Sequence, residues 1–305
     1  MKKIAILLIM LSGLFVLGNG KLNGKVNGKV KVVTTYPYIR DIVHQVGGKE
    51  VSIISLARGF RDPHYITPRP SFIAKLRKAD LLVINGGQLE IGWLPPVIRQ
   101  ANNQEIGKGR DGLLSLIDFV VPLDVPVETS RAGGDVHPEG NPHFQLDPHN
   151  IPLLAKAVAD RLCKLDPRHC ADYKNNFEIF NGKWMVKLRQ WEKMMNALKG
   201  KKVVQYHKSF NYLTQRYGIE SSATLEPLPG IPPTTRHISK TIDIIKKNHI
   251  QLVLQDVYHS SKTAKFVCSR SSARMVIIPH DVEAVKGVED IFSLFDEIVR
   301  RLTSL

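Results

Sequence analysis

The sequence predicts an α/β fold with two lobes, each with a mainly parallel sheet flanked by helices, joined by one long linker helix. Short β-branched or apolar runs alternate with longer segments of helical periodicity, first over 30–99 and again from residue 201 onwards. Such alternation is typical of parallel sheets with helices on both faces. Between the two regions lies a helical stretch from 167 to about 199, which we interpret as a stiff connection across both lobes.

In the first lobe, strands are predicted from β-branched composition or continuous apolar character. They lie at 30–35, 51–56 and 81–84. Apolar residues at helical spacing predict the helices, and Gly47 with Gly48 ends the first of them. These helices are expected at 37–46, from a Ser71 cap onwards, around 93–99 and at 151–164.

The linker stretch carries Phe180, Trp184 and Trp191 among polar residues, and Gly182 interrupts it. At ~1.5 Å per residue, a helix of about 30 residues spans about 45 Å, enough to reach both lobes. Its aromatic side chains are expected to serve packing rather than to hold a cofactor. The second lobe is predicted to contain strands at 202–206, 219–225, 250–255 and 274–278, and helices at 209–217, 236–248, 261–269 and 289–302.

The N-terminus has the pattern of a secretory signal. Lys2 and Lys3 precede an apolar run over 4–17, and Gly18 and Gly20 supply small residues for a cleavage site. The run is shorter than the ~20 apolar residues of a membrane span, and no cysteine marks a lipid anchor. We therefore expect a periplasmic protein, with an uncleaved anchor as the alternative. The predicted boundaries are 1–20 for the signal peptide, 21–29 for a flexible leader, 30–165 for the N-terminal lobe, 166–200 for the linker helix and 201–305 for the C-terminal lobe.

Composition narrows the possible partners. The formal net charge is +15, but the basic residues are scattered and no nucleic-acid motif is present, so we expect no nucleic-acid partner. Cys163 and Cys170 flank a turn; an oxidising compartment allows them to pair, and the sequence leaves the pairing open. Cys268 is expected to be a buried free thiol.

Three histidines stand in loops next to predicted strands or helices. His64 follows the second predicted strand, His143 precedes the helix at 151–164, and His207 ends the run at 202–206. Parallel sheets bind ligands beyond the carboxyl ends of their strands, so these imidazoles are expected to meet between the lobes. Three imidazoles with one open position are a common zinc site.

Residues beside these histidines support a metal site. Pro63 and Pro142 fix the backbone directly before two of the imidazoles. Asp62 and Asp147 are candidates to orient imidazole rings, or else to make turns and cap helices.

Longer motifs surround these residues: Asp62-Pro63-His64-Tyr65, His137-Pro138, Asn141-Pro142-His143, Leu146-Asp147-Pro148, the run over 207–213, Tyr217-Gly218-Ile219 and the run over 226–233. Together they resemble the periplasmic metal-binding proteins of ATP-driven zinc and manganese uptake systems, the family with a rigid interlobe helix. The resemblance extends from about residue 30 to the C-terminus. It implies two α/β lobes, a metal ion in the cleft held by His64, His143 and His207, and delivery to the membrane permease of an ABC transporter.

The same resemblance bears on a fourth ligand. The family often has an aspartate near the start of the segment 278–282, and we choose Asp281 here, with His280 or water as alternatives. If neither His280 nor Asp281 binds the metal, both are expected to be surface turn residues. The long histidine-rich loop of some zinc-binding members is absent, and His137 in the corresponding loop is expected to be a loop histidine or a transient ligand.

The predicted function is capture and delivery of a transition metal ion by a monomeric carrier. Zinc comes first, because manganese prefers more oxygen ligands. The alternatives are a manganese or iron carrier on the same scaffold, a surface adhesin, and a zinc hydrolase. We expect no enzyme, because His-Glu-x-x-His and Gly-x-Ser-x-Gly motifs are absent. A hydrolase would also need a general base, for which Glu226 is the nearest candidate, with a role in loop structure as the alternative.

Overall fold

The computed structural model describes residues 28–126, 137–228 and 230–304. The predicted signal peptide, most of the predicted leader, residues 127–136, Pro229 and Leu305 lie outside these residues. The described chain forms two four-stranded sheets in which every strand pairing is parallel. The predicted fold class is confirmed.

The first sheet has the strand order β2-β1-β3-β4. Its strands are β1 (Val30–Thr34), β2 (Val51–Ser55), β3 (Leu81–Ile84) and β4 (Leu113–Ser115). Leu81 to Val83 of β3 are fully buried, as expected of a strand covered on both faces. Strand β4 was not predicted, because three residues are too few to give a periodic signal.

Four helices accompany this sheet: α1 (Pro37–Gly47), α2 (Pro70–Arg77), α3 (Leu94–Ala101) and α4 (Asn150–Leu165). The expectation that Ser71 caps α2 was wrong. The helix begins one residue earlier, at Pro70, and the side chain of the preceding Arg69 makes no cap hydrogen bond. Proline fits this first position because its missing N–H has no helical partner to lose.

The second sheet repeats the topology of the first, with the strand order β6-β5-β7-β8. Its strands are β5 (Lys202–Gln205), β6 (Glu220–Thr224), β7 (Leu252–Asp256) and β8 (Arg274–Ile278). The accompanying helices are α6 (Asn211–Arg216), α7 (Thr235–Lys247), α8 (Lys262–Ser269) and α9 (Ile291–Thr303). In each sheet the strand that comes first in the chain, β1 or β5, lies between two neighbours. Because all the strands are parallel, the loops that follow neighbouring strands meet at one edge of the sheet.

The connecting helix is α5 (Cys170–Met195), with 26 residues. It is shorter than the predicted stretch because the flanking turns at Pro167–His169 and Asn196–Leu198 are 3₁₀ helices. Gly182 lies inside it without a break, at a site where a Cβ atom would meet no other atom within 4 Å. The helix packs against α1 and α4 beside the first sheet and against α9 beside the second.

The aromatic residues of α5 serve packing, as predicted. Trp184 and Trp191 are buried with ring centroids 4.9 Å apart, and Phe295 of α9 packs against both rings. The largest apolar cluster of the described residues runs from the first sheet across α5 to one face of the second. This continuous core fixes the two sheets relative to each other.

Cys163 near the end of α4 and Cys170 at the start of α5 form a disulfide, whereas Cys268 is a partly buried free thiol. Among the described helices, none combines the length and the apolar character that crossing a membrane requires.

Candidate metal centre

The three predicted histidines come together between the two sheets. His64 lies in the loop after β2, His143 before α4, and His207 directly after β5. One ring nitrogen of each lies within 4.8 Å of those of the other two. The ring centroids are 5.2 Å apart for His64 and His143, and 5.5 Å apart for both His64 and His207 and for His143 and His207. A single ion can therefore reach all three.

Local hydrogen bonds shape the loops that carry His64 and His143. Oδ1 of Asp62 accepts a hydrogen bond from the backbone N–H of His64 at 3.0 Å, across Pro63. Oδ1 of Asn141 accepts one from the backbone N–H of His143, also at 3.0 Å. Both are turns in which a short side chain binds the backbone two residues on, with a proline fixing the dihedral angle between.

Two of the imidazoles contact a carboxylate through one ring nitrogen. Nδ1 of His64 lies 2.9 Å from Oδ1 of Asp62, and Nδ1 of His207 lies 2.8 Å from Oε2 of Glu226. A carboxylate on Nδ1 favours the tautomer with its proton there, which leaves Nε2 free to bind a metal ion.

Several ring nitrogens at the centre have no protein partner. Among the described residues, Nε2 of His64 and both ring nitrogens of His143 are buried without a hydrogen bond. Unpaired buried polar atoms are costly, and one nitrogen of each ring lies close to one nitrogen of the other two, which indicates a shared ligand. A cation that accepts nitrogen lone pairs fits this donor set.

The shifted pKa values of residues at the centre favour cation binding. Burial lowers the pKa of His143 well below its usual value, and the nearby rings of His64 and His207 lower it further. Burial would raise the pKa of Glu226, but its hydrogen bonds with His207 and His259 lower it to about 2. The centre therefore combines a neutral imidazole at His143 with an ionised carboxylate behind His207.

Asp281, predicted as the fourth ligand, is not among the residues whose ligand atoms lie within 4.8 Å of one another. Its Oδ1 accepts hydrogen bonds from the backbone N–H groups of Tyr38 and Val282, both at 2.7 Å, and the residue is buried. It thereby ties the loop after β8 to the start of α1. Burial raises the pKa of Asp281 well above its usual value.

His280 and His137 lie around the centre but outside the group of three. His280 is buried, and within the described chain its Nδ1 has no hydrogen-bond partner. Burial lowers the pKa of His280 to about 4, and its ring packs edge-on against Tyr258 at 4.7 Å. The ring of His137 lies 5.5 Å from that of His64, centroid to centroid.

Of the two roles expected for Asp147, the structure shows the turn rather than the orientation of an imidazole. Its carboxylate pairs with the Arg216 guanidinium through three contacts of 2.9, 3.0 and 2.7 Å, and its Oδ1 accepts a hydrogen bond from the backbone N–H of His149. Because Asp147 precedes α4 and Arg216 lies in α6, this pair joins the two halves of the molecule.

The residues behind His207 were not predicted as part of the site. The sequence suggests Glu226 only as a general base, yet its two oxygens lie 2.8 Å from His207 Nδ1 and 3.4 Å from His259 Nε2. Neither Asp256 nor His259 was predicted. Their position at the carboxyl end of β7, the same kind of place that marked His64 and His207, is the signal that could have found them.

The fold and the three convergent imidazoles are those of a two-lobed metal-binding protein. A family model described as "ZnuA: Zinc-uptake complex component A periplasmic" matches residues 32–304, and the chain belongs to this family. The predicted resemblance is confirmed.

Relatives of known description agree with this assignment. The chain is 31% identical to a metal ABC transporter substrate-binding lipoprotein, FimA, of Streptococcus parasanguinis, over 82% of this chain and 80% of that protein. It is 26% identical to the manganese ABC transporter substrate-binding lipoprotein PsaA of Streptococcus pneumoniae, with the same coverages of 82% and 80%. A crystal structure of ZnuA superimposes with a TM-score of 0.76 at 21% identity, over 90% of this chain and 98% of that one, which supports the fold.

Proposed function

We propose that this protein is an extracytoplasmic solute-binding protein that captures Zn²⁺ through His64, His143 and His207 and delivers it to an ABC permease. The observation that carries the proposal is the meeting of three imidazoles between the sheets, with buried ring nitrogens of His64 and His143 that lack partners among the described residues. Membership of a zinc-uptake family supports the transport role rather than catalysis. Both oxygens of Glu226 are engaged, so it is poorly placed to act as a general base.

Zinc is the preferred cargo because the donor set is made of nitrogen. Neutral imidazole suits zinc, whereas manganese favours carboxylate, carbonyl and water oxygens. Oδ1 of Asp281 accepts two backbone N–H groups and Asp281 stands outside the group of three histidines, so we assign the fourth position to water. Zinc sites with three protein ligands and one water are common. The relative named for manganese makes a manganese carrier the second candidate.

The remaining parts of the proposal concern cellular context. The sequence pattern of residues 1–20 supports export by a signal peptide, and the three histidines of the site all come from one chain, so no second copy is needed to form it. We therefore propose a monomer, with residues 30–165 and 201–305 as its lobes.

Calorimetric titration of the metal-free protein with Zn²⁺ tests the function. We expect one site with sub-micromolar affinity and a strong loss of binding in the His143→Ala variant. Competition with Mn²⁺ tests the metal, and zinc is expected to win. Zinc binding that is unchanged in His143→Ala, or absent from the wild-type protein, contradicts the proposal.

A further inference from the structure

Behind His207, three side chains form a line of hydrogen-bonding groups that leads away from the metal centre. Oε2 of Glu226 lies 2.8 Å from His207 Nδ1, and Oε1 of Glu226 lies 3.4 Å from His259 Nε2. At the far end, His259 Nδ1 lies 2.9 and 2.8 Å from the two carboxylate oxygens of Asp256. The members follow β5, β6 and β7, which are neighbouring strands of one sheet.

This line is held in place at every step. Asp256 is 1% exposed and Glu226 is 6% exposed. Asp256 also accepts a hydrogen bond from the backbone N–H of His259 at 3.0 Å. The His259 ring stacks on Tyr206, the residue before His207, with centroids 4.4 Å apart and planes 27° apart. His259 is therefore fixed both by its two carboxylates and by its stacking.

Glu226 is a carboxylate close to the metal centre, and its contact with His259 bears on whether it can bind the ion. A carboxylate oxygen is the kind of ligand that manganese prefers, and Glu226 lies one side chain away from the metal centre. As long as one oxygen binds His207 and the other faces His259, the carboxylate stays outside the coordination sphere. Without His259, one oxygen of Glu226 is released and can turn towards the metal.

We propose that Asp256 and His259 are positioning residues that hold Glu226 on His207 and off the metal, and thereby set the preference of the site for zinc over manganese. This inference rests on the proposed zinc-binding function. His207 then presents Nε2 to the ion, and the protein supplies three nitrogen ligands without an added oxygen.

The test compares full-length variants by zinc and manganese affinity, by the visible spectrum of the Co²⁺-loaded protein, and by the melting temperature of the metal-free protein. His259→Phe keeps a ring on Tyr206 but removes both nitrogens. We expect zinc affinity to fall about tenfold, as when outer partners of metal ligands are removed, while manganese affinity holds or rises. His259→Gln, which retains an N–H donor, should be intermediate.

Two further variants make the test specific. In the His259→Phe/Glu226→Gln double variant manganese affinity should be lower than in His259→Phe, because the released group is no longer a carboxylate. His149→Phe is the matched control, since it removes an imidazole that lies 2.9 Å from the Glu192 carboxylate away from the three histidines. It should leave the zinc-to-manganese ratio and the cobalt spectrum unchanged.

A zinc-to-manganese ratio in His259→Phe equal to that of the wild type overturns the inference. So does an equal loss of both metals accompanied by a lower melting temperature, which marks a purely structural role. If His259→Phe does not fold, Asp256→Asn decides, and its ratio must fall in the same direction. A wild-type protein that binds no zinc refutes the proposed function itself, whereas normal zinc binding with an unmoved ratio refutes this inference alone.

Discussion

Two similar turns in this protein end in histidines with different fates. In both Asp62-Pro63-His64 and Asp147-Pro148-His149, the aspartate Oδ1 accepts a hydrogen bond from the histidine N–H, at 3.0 and 2.9 Å. His64 follows β2 and faces the metal centre with its side chain 11% exposed. His149 stands at the start of α4 with its side chain 34% exposed, and its Nε2 lies 2.9 Å from Glu192.

The turn therefore orients the backbone, but the place of the turn in the fold decides what the imidazole does. The loop after β2 brings His64 to the other two histidines, whereas His149 at the start of α4 meets Glu192 of α5. The carboxylates differ as well, since Asp62 stays with its own histidine and Asp147 pairs with Arg216.

The largest contrast should appear when the two histidines are removed. We expect His64→Ala to weaken zinc binding by about a hundredfold or more, because one of three protein ligands is lost, and complete structural zinc sites bind with about 10–16 kcal/mol. His149→Ala should leave zinc affinity unchanged. Calorimetry on both variants measures the difference, and equal effects would show that the turn rather than its location matters.

The two aspartates should differ in what they stabilise. We expect Asp147→Asn to lower the free energy of unfolding by about 1–3 kcal/mol, because it breaks a largely buried carboxylate's pair with the half-exposed Arg216. Asp160→Asn is the control, since Asp160 forms an exposed pair with Lys156 and should cost under about 0.5 kcal/mol. Urea unfolding of the metal-free variants measures both, and equal costs would argue against a bridge between the halves.

Acidification should lower the folding stability of the metal-free protein through its buried histidines. In the metal-free protein the pKa of His143 is lowered by burial and by its imidazole neighbours, and the pKa of His280 is lowered to about 4. The unfolded chain takes up these protons near pH 6.5 and the folded chain only at lower pH. The stability that these groups contribute is therefore complete above about pH 6.5 and is lost as the pH falls through the folded pKa values.

Unfolding experiments between pH 7 and pH 4 check this dependence. The His280→Asn variant should lose less stability over that range than the wild-type protein. An unchanged slope in His280→Asn would contradict the assignment of the lowered pKa.

Much of this organisation could be predicted from local patterns. Of the eight strands in the described chain, seven followed from strand and helix patterns, and the three convergent histidines followed from loops beside those elements. Asp147 and Asp281 could not be placed, because the sequence shows a carboxylate but not its partner. For Asp281 that partner is the Tyr38 backbone N–H, 243 positions away. His259 was not predicted because it is linked to the site through its contact with Glu226, which follows a different strand.

The smallest contrast concerns the prolines of the two motifs that precede α4. Pro142 stands before a histidine at the metal centre and Pro148 before one outside it, so a loss of backbone rigidity matters for metal binding only at the first. Replacing proline with alanine at a compatible site costs about 0.4–1 kcal/mol through the entropy of the unfolded chain, and both variants should show this loss. Only Pro142→Ala should also weaken zinc binding, by about two- to fivefold, because the ion must then order the His143 loop. Calorimetry can resolve such a difference, and an equal zinc affinity in the two variants would mean that the hydrogen bond from the His143 N–H to Asn141 Oδ1 suffices to hold that loop.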